Sequence, residues 1–114
     1  MDFDFSEEQR LLKESLDRLI RDRYAFEQRK GYARNPEGWS RELWAQFAEL
    51  GLLGLPFEER HGGSAGGPVE TMIAMEAFGR ALALEPYLAT VVLGGGFLRH
   101  GGTAEQCANI IPKI

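Results

Sequence analysis

Few side chains in this sequence have the type and spacing to do chemistry. His61 opens the stretch His61-Gly62-Gly63-Ser64-Ala65-Gly66-Gly67, which has four glycines in seven residues. A glycine loop running into a helix can offer backbone N–H groups to an anion. The stretch lacks the Lys-Ser/Thr of a P-loop, and it lacks G-x-G-x-x-G spacing after a strand. A flexible loop with positive φ angles is the plainer reading. Cys107 is expected in the first turn of a helix, where a thiolate can be stabilised. No base or resolving cysteine accompanies it, so an ordinary packed thiol is expected. His100 falls at the end of a helix, where the dipole favours a cation. The two histidines, His61 and His100, lie far apart in sequence and with one cysteine do not spell a metal site.

Bulk composition narrows the classes further. The chain has 114 residues, enough for one modest core. A net charge of -4, with the basic residues scattered among acids, argues against nucleic acid. A single cysteine rules out an internal disulfide and fits a reducing cytoplasm. The segment Met1-Asp2-Phe3-Asp4-Phe5 is acidic and has no apolar signal core. No apolar run approaches the roughly 20 residues of a membrane span. The chain stops on Asn109-Ile110-Ile111-Pro112-Lys113-Ile114 without a polar tail. A fragment, or a truncated gene product, is expected.

The elements that must position these residues are helices. Ser6 with Gln9 is a capping-box pattern, and Glu7 and Glu8 suit the positive end of the dipole. Leu11, Leu12, Leu16, Leu19, Ile20 and Tyr24 follow as one apolar stripe. Asn35-Pro36-Glu37-Gly38 is turn chemistry. A second helix follows Ser40, with Leu43, Trp44, Phe47 and Leu50 expected inside and Gly51 ending it. Leu52-Leu53-Gly54-Leu55-Pro56 reads as a buried extended connector. Pro68 suits the first turn of a third helix. Val69, Met72, Ile73, Met75, Ala77 and Phe78 make that helix apolar on most of its circumference, so it should be central. The two methionines read as core filling, and Trp39 and Trp44 as core or interdomain packing. Glu85-Pro86 marks a break. A fourth helix is expected over Tyr87–Arg99, closed by Gly101-Gly102. Thr103 with Gln106 repeats the capping box and starts a fifth that runs to the end. The expected fold is all-α, an irregular bundle of about five helices.

Gly94-Gly95-Gly96 inside the fourth helix is costly. Each glycine loses up to about 1 kcal/mol against alanine, so three lose about 3 kcal/mol. Close backbone approach, or a helix that bends or unwinds there, would explain them.

Two stretches carry a family resemblance. Phe5-Ser6-Glu7-Glu8-Gln9-Arg10-Leu11-Leu12 resembles the opening helix of acyl-CoA dehydrogenases. Trp44-Ala45-Gln46-Phe47-Ala48-Glu49-Leu50-Gly51-Leu52-Leu53-Gly54-Leu55, with Glu59, Gly62-Gly63 and Glu76, is similar to the succession that follows it. The match continues through Gly102-Thr103-Ala104-Glu105-Gln106 to Ile111-Pro112. Gly79-Arg80-Ala81-Leu82 and Glu85-Pro86-Tyr87-Leu88-Ala89-Thr90 with Val91-Val92-Leu93 resemble bacterial small-subunit members, of the pimeloyl-CoA dehydrogenase small-subunit kind.

The resemblance implies an FAD flavoprotein of three domains, of which residues 1–114 would be the N-terminal helical one. The middle β-domain and the C-terminal helical domain would be absent. The implied reaction is α,β-desaturation of an acyl-CoA thioester: a carboxylate takes the α-proton, the β-hydride passes to the flavin, and electron-transfer flavoprotein reoxidises it. The base and most flavin contacts would lie outside this chain. The chain alone is therefore expected to be inactive and to bind no FAD. A homo- or hetero-oligomer with a homologous subunit is implied.

Within this domain the resemblance places Glu85, Pro86, Ala89, Thr90 and Leu93 on or near the face that walls the acyl pocket. Ala89 and Thr90 are small and would leave room for a chain or ring. Glu85 can also be read as an alternative base, or more plainly as a first-turn acid favoured by the helix dipole. Tyr87 could meet a polar substrate end, but an aromatic core anchor suits it better. Two other readings stay open: a stand-alone helical interaction module with an uncovered apolar face, and an oxidase or catalytically silent partner subunit.

Overall fold

A computed structural model describes residues 3–114; Met1 and Asp2, which open the acidic N-terminal segment, lie outside the described residues. Among the described residues there are no strands, and the fold is all-α. The described residues form six α-helices: α1 (Glu7–Arg23), α2 (Phe26–Ala33), α3 (Arg41–Glu49), α4 (Pro68–Ala81), α5 (Gly95–Gly101) and α6 (Ala104–Ile110). Two 3-10 turns, Glu59–His61 and Ile111–Lys113, and one π-helix, Leu88–Gly94, complete the order. No described helix is long and apolar enough to cross a membrane.

The chain divides into two compact units. The first runs up to Ser40 and includes Met72–Leu84. Its first helix starts where the capping box requires. Ser6 Oγ accepts from Gln9 N–H at 3.2 Å, and Gln9 Oε1 accepts from Ser6 N–H at 2.9 Å. Leu16 and Tyr24 are buried, but Leu11 is 53% exposed, so the apolar stripe is wider than the surface it packs against. Helix α2 is the element that brings the expected five to six. Ala25 has no side-chain acceptor for a cap, yet Gln28 Oε1 still accepts from Ala25 N–H at 2.9 Å. The stretch has no periodic apolar stripe to betray it.

Two tyrosines tie this unit together. The Tyr32 hydroxyl donates to the Arg23 carbonyl, and the Tyr24 hydroxyl accepts from Leu84 N–H at 2.7 Å. The α4 stretch in this unit buries Ile73, Ala74, Ala77 and Phe78, while Met72 is half exposed. One face of α4 is core, and the all-round burial expected of it is not found. Its end is unusual: Leu82 sits at φ 53° in the left-handed region. Leu82 N–H donates to the Gly79 carbonyl and Ala83 N–H to the Phe78 carbonyl. This is a Schellman closure in which leucine occupies the position that glycine normally fills.

The second unit comprises Arg41–Thr71 and Glu85–Ile114. Helix α3 begins directly after buried Ser40 and buries Leu43 and Phe47; Trp44 is half-buried, and Leu50 is exposed rather than core. Gly51 at φ 79° closes it with a second Schellman pattern, Leu52 N–H to the Phe47 carbonyl and Gly51 N–H to the Ala48 carbonyl. Leu52, Leu53, Leu55 and Phe57 are all buried. They are not extended, however. Leu55 N–H donates to the Leu52 carbonyl and Phe57 N–H to the Gly54 carbonyl, so the connector folds as successive turns. Turns let a short run bury its leucines and still satisfy its own backbone. Helix α6 also departs from expectation, giving way after Ile110 to the 3-10 turn that holds Pro112.

Candidate functional site

All five residues expected to wall an acyl group lie in the second unit, on the segment that enters the π-helix. Pro86 starts that segment without a donor to waste, and its carbonyl accepts from Thr90 N–H at 3.0 Å. Tyr87 and Val91 point inward, 3% and 1% exposed. The Tyr87 hydroxyl donates to the Leu52 carbonyl at 2.7 Å, fixing the segment on the turns of the connector. Burial pushes the Tyr87 phenol pKa far up, because the phenolate would lose water without gaining a cation. Tyr87 is thus a neutral core anchor with a satisfied hydroxyl.

With Tyr87 and Val91 inside, their neighbours are forced outward. Ala89 is exposed, and so are Leu88, Leu93 and Phe97, the last at 80%. Together they make an open apolar face that includes two of the five residues, Ala89 and Leu93. Thr90 and Pro86 are half-buried at its edge. Glu85 is different, being 6% exposed.

The Gly94-Gly95-Gly96 run resolves into three cases. The backbone is a π-helix up to Gly94, with Gly95 N–H reaching back to the Thr90 carbonyl. The helix has therefore unwound by one residue per turn, as costly glycines suggested. A Cβ on Gly95 would collide with the Phe57 ring, so close approach requires glycine there. A Cβ on Gly94 would lie 3.2 Å from the Ala89 carbonyl oxygen, while one on Gly96 would meet nothing within 4 Å.

The glycine loop between Glu59 and Pro68 is not an anion cradle. Six successive N–H groups, from Gly62 to Gly67, are already spent. Those of Gly62, Gly63, Ser64, Ala65 and Gly66 donate to the carbonyls of Glu59, Glu58, Gly54, Phe57 and Leu55 respectively, and Gly67 N–H to Glu70 Oε2. Gly62 takes φ 89°, the positive angle the turn demands. A loop whose amides are all internally bonded has none left for the pyrophosphate of a dinucleotide, so its backbone does not fit a flavin site.

Sequence separation misled on one point. His61 and His100 line the same cavity of about 490 Å³, together with Arg60, Arg99 and Cys107. Loop 56–66 meets the end of α5 there, a tertiary juxtaposition with no local sequence signal. The Cys107 thiol donates to the Leu98 carbonyl at 3.1 Å. Among the described residues no group of three or more His, Cys, Asp or Glu side chains is placed to hold a metal ion.

Comparison with known proteins bears on what this architecture is. The sequence pattern of the family described as "Acyl-CoA dehydrogenase, N-terminal domain" matches residues 6–114. The chain belongs to the acyl-CoA dehydrogenase family. It is 31% identical over 111 residues to the probable acyl-CoA dehydrogenase YngJ of Bacillus subtilis, covering 93% of this chain and 28% of that protein. It is 33% identical over 104 residues to the mitochondrial isovaleryl-CoA dehydrogenase of Pongo abelii, covering 91% of this chain and 22% of that one. The fold matches a chain of the ChsE4-ChsE5 complex from Mycobacterium tuberculosis with a TM-score of 0.87 at 28% identity. That match covers 99% of this chain and 31% of the other. The chain thus spans less than a third of the length of these relatives.

Proposed function

We propose that these residues form the N-terminal helical domain of a longer FAD-dependent acyl-CoA dehydrogenase, and that their part in it is to wall the acyl pocket. The observation that carries this reading is the open apolar face of Leu88, Ala89, Leu93 and Phe97, outward because Tyr87 and Val91 are anchored inward. An acyl chain needs apolar surface that excludes water, with no charged group facing it. Ala89 gives the least relief on this face and sets how wide an acyl group passes. Thr90 and Pro86 border it; Glu85, being buried, steadies the segment.

In the same reading the proton-abstracting carboxylate and the flavin, which supplies the hydride acceptor when bound, belong to the middle and C-terminal domains. The substrate is an acyl-CoA thioester, and electron-transfer flavoprotein takes the electrons. Pairing with a homologous subunit is supported by the structural neighbour, itself a member of a complex named for two components. A two-component assembly also accommodates a second reading, in which this chain belongs to a catalytically silent partner subunit.

Ala89→Trp in the full-length protein tests the pocket wall. Because Ala89 is exposed, the fold and the thermal midpoint should be kept. The kcat/KM for bulky acyl-CoAs should fall by about tenfold or more relative to short ones, as one misplaced bulky group in a pocket costs on the order of 1–3 kcal/mol. Unchanged kinetics across short and bulky substrates would remove Ala89 from the wall.

A further inference from the structure

The cavity of about 490 Å³ in the second unit lies apart from the five residues of the acyl face and shares none of them. Four of its lining side chains are basic or can become so: Arg60 and His61 from the loop, Arg99 and His100 from the last turn of α5. Glu58 is the one carboxylate in the lining, and it is already bound to Arg60, Nε to Oε2 at 2.6 Å. Arg99 therefore faces the cavity as a cation with no counter-charge there. Among the described residues the side chains of Arg99, His61 and His100 have no hydrogen-bond or ion-pair partner. The lining also includes the apolar residues Phe57 and Ile111, both buried.

An oxyanion beside Arg99 would supply the counter-charge that the lining lacks. A guanidinium offers a planar fork that matches a phosphate or sulfate edge, and imidazoles supply further donors. The loop amides contribute nothing, since all are bonded internally; recognition would rest on side chains. The walls also leave more room than a bare phosphate fills. We infer that this cavity binds a phosphate-type oxyanion carried on a small apolar or aromatic group, with Arg99 as its principal contact and Phe57 and Ile111 flanking the apolar part.

The test is a titration of the 114-residue chain, followed by amide nitrogen–proton NMR at pH 8, with inorganic phosphate and with phenyl phosphate. Sodium chloride at matched ionic strength is the control. Saturable shifts confined to residues 56–66 and 99–111 are expected, with phenyl phosphate binding about threefold or more tighter than phosphate. Arg99→Gln should weaken binding by about two- to fivefold while leaving the spectrum elsewhere unchanged, and Arg99→Lys should lose less. Shifts that do not saturate, that chloride reproduces, or that survive Arg99→Gln at full affinity would overturn the inference. The outcome does not depend on the acyl-pocket reading, which Ala89→Trp addresses separately.

Discussion

Replacing Gly95 with alanine sets two effects against each other. A helix interior favours alanine over glycine by up to about 1 kcal/mol. Against that gain, the new methyl would be driven into the Phe57 ring, with Cε1 at 2.8 Å and Cζ closer still. Phe57 is 1% exposed, and its ring must shift from its packed position to admit the methyl. Overpacking of this kind costs about 1–3 kcal/mol. The net expectation is that Gly95→Ala destabilises by about 1–2 kcal/mol. Gly96→Ala is the internal control. Its methyl meets nothing within 4 Å, so the propensity gain is uncompensated and it should stabilise by about 0.5–1 kcal/mol. Urea unfolding followed by far-UV circular dichroism reads both, and thermal midpoints should move by roughly 4 °C per kcal/mol in opposite directions. A Phe57→Leu background should lessen the Gly95→Ala penalty by about 1 kcal/mol, because the pair are in contact. If Gly95→Ala is as stable as the parent, or if the penalty is the same in both backgrounds, the close approach does not account for the glycine.

Tyr87→Phe leaves the buried Leu52 carbonyl without its donor and should cost about 1–3 kcal/mol by urea unfolding. It also changes the alkaline limb. The folded phenol is held protonated with its pKa raised, while an unfolded tyrosine releases its proton near pH 10. The stability this contributes is complete below about pH 10 and drains as pH rises beyond it. The parent should therefore lose urea midpoint between pH 9 and 11 faster than Tyr87→Phe; parallel declines would count against a buried neutral phenol. Leu82→Gly should stabilise by about 0.5–1 kcal/mol, since the left-handed conformation strains leucine by roughly 1–2 kcal/mol and its side chain is 61% exposed. A drop in the thermal midpoint would show that the side chain contributes more than its conformation costs.

Features decided within four residues of themselves were legible in the sequence. The boxes Ser6 to Gln9 and Thr103 to Gln106, and the Gly51 closure, each need only neighbours in the chain, and all three form. Helix α2 escaped because Ala25 lacks a capping oxygen and the helix has no apolar stripe. Stripes also say which residues share a face, not where the neighbouring surface ends; Leu11 and Leu50 fall beyond that edge. The π-helix left only an indirect trace, since bonding to the fifth residue back has no side-chain code, but the glycines showed where the helix would yield. For the proposed acyl face the positions came from family likeness. What the structure adds is the inward pair, Tyr87 and Val91, that turns Ala89 and Leu93 out. The basic cavity was not legible, because loop 56–66 and the end of α5 meet only through tertiary packing.

The π-helix between Leu88 and Gly94 is also a matter of phase. Each wide turn takes up one residue more than an α-turn, so the chain leaves Gly94 rotated against the heading a regular helix would have given it. Phe97 points where it does because of that lag. Deleting one residue inside the segment would restore the tighter winding and swing the outgoing helix round, with Tyr87 and Val91 still seated. A change in length of a single codon thus reshapes the outer face without touching any of its side chains, and length variation in this segment is a route to new surfaces that substitution alone does not offer.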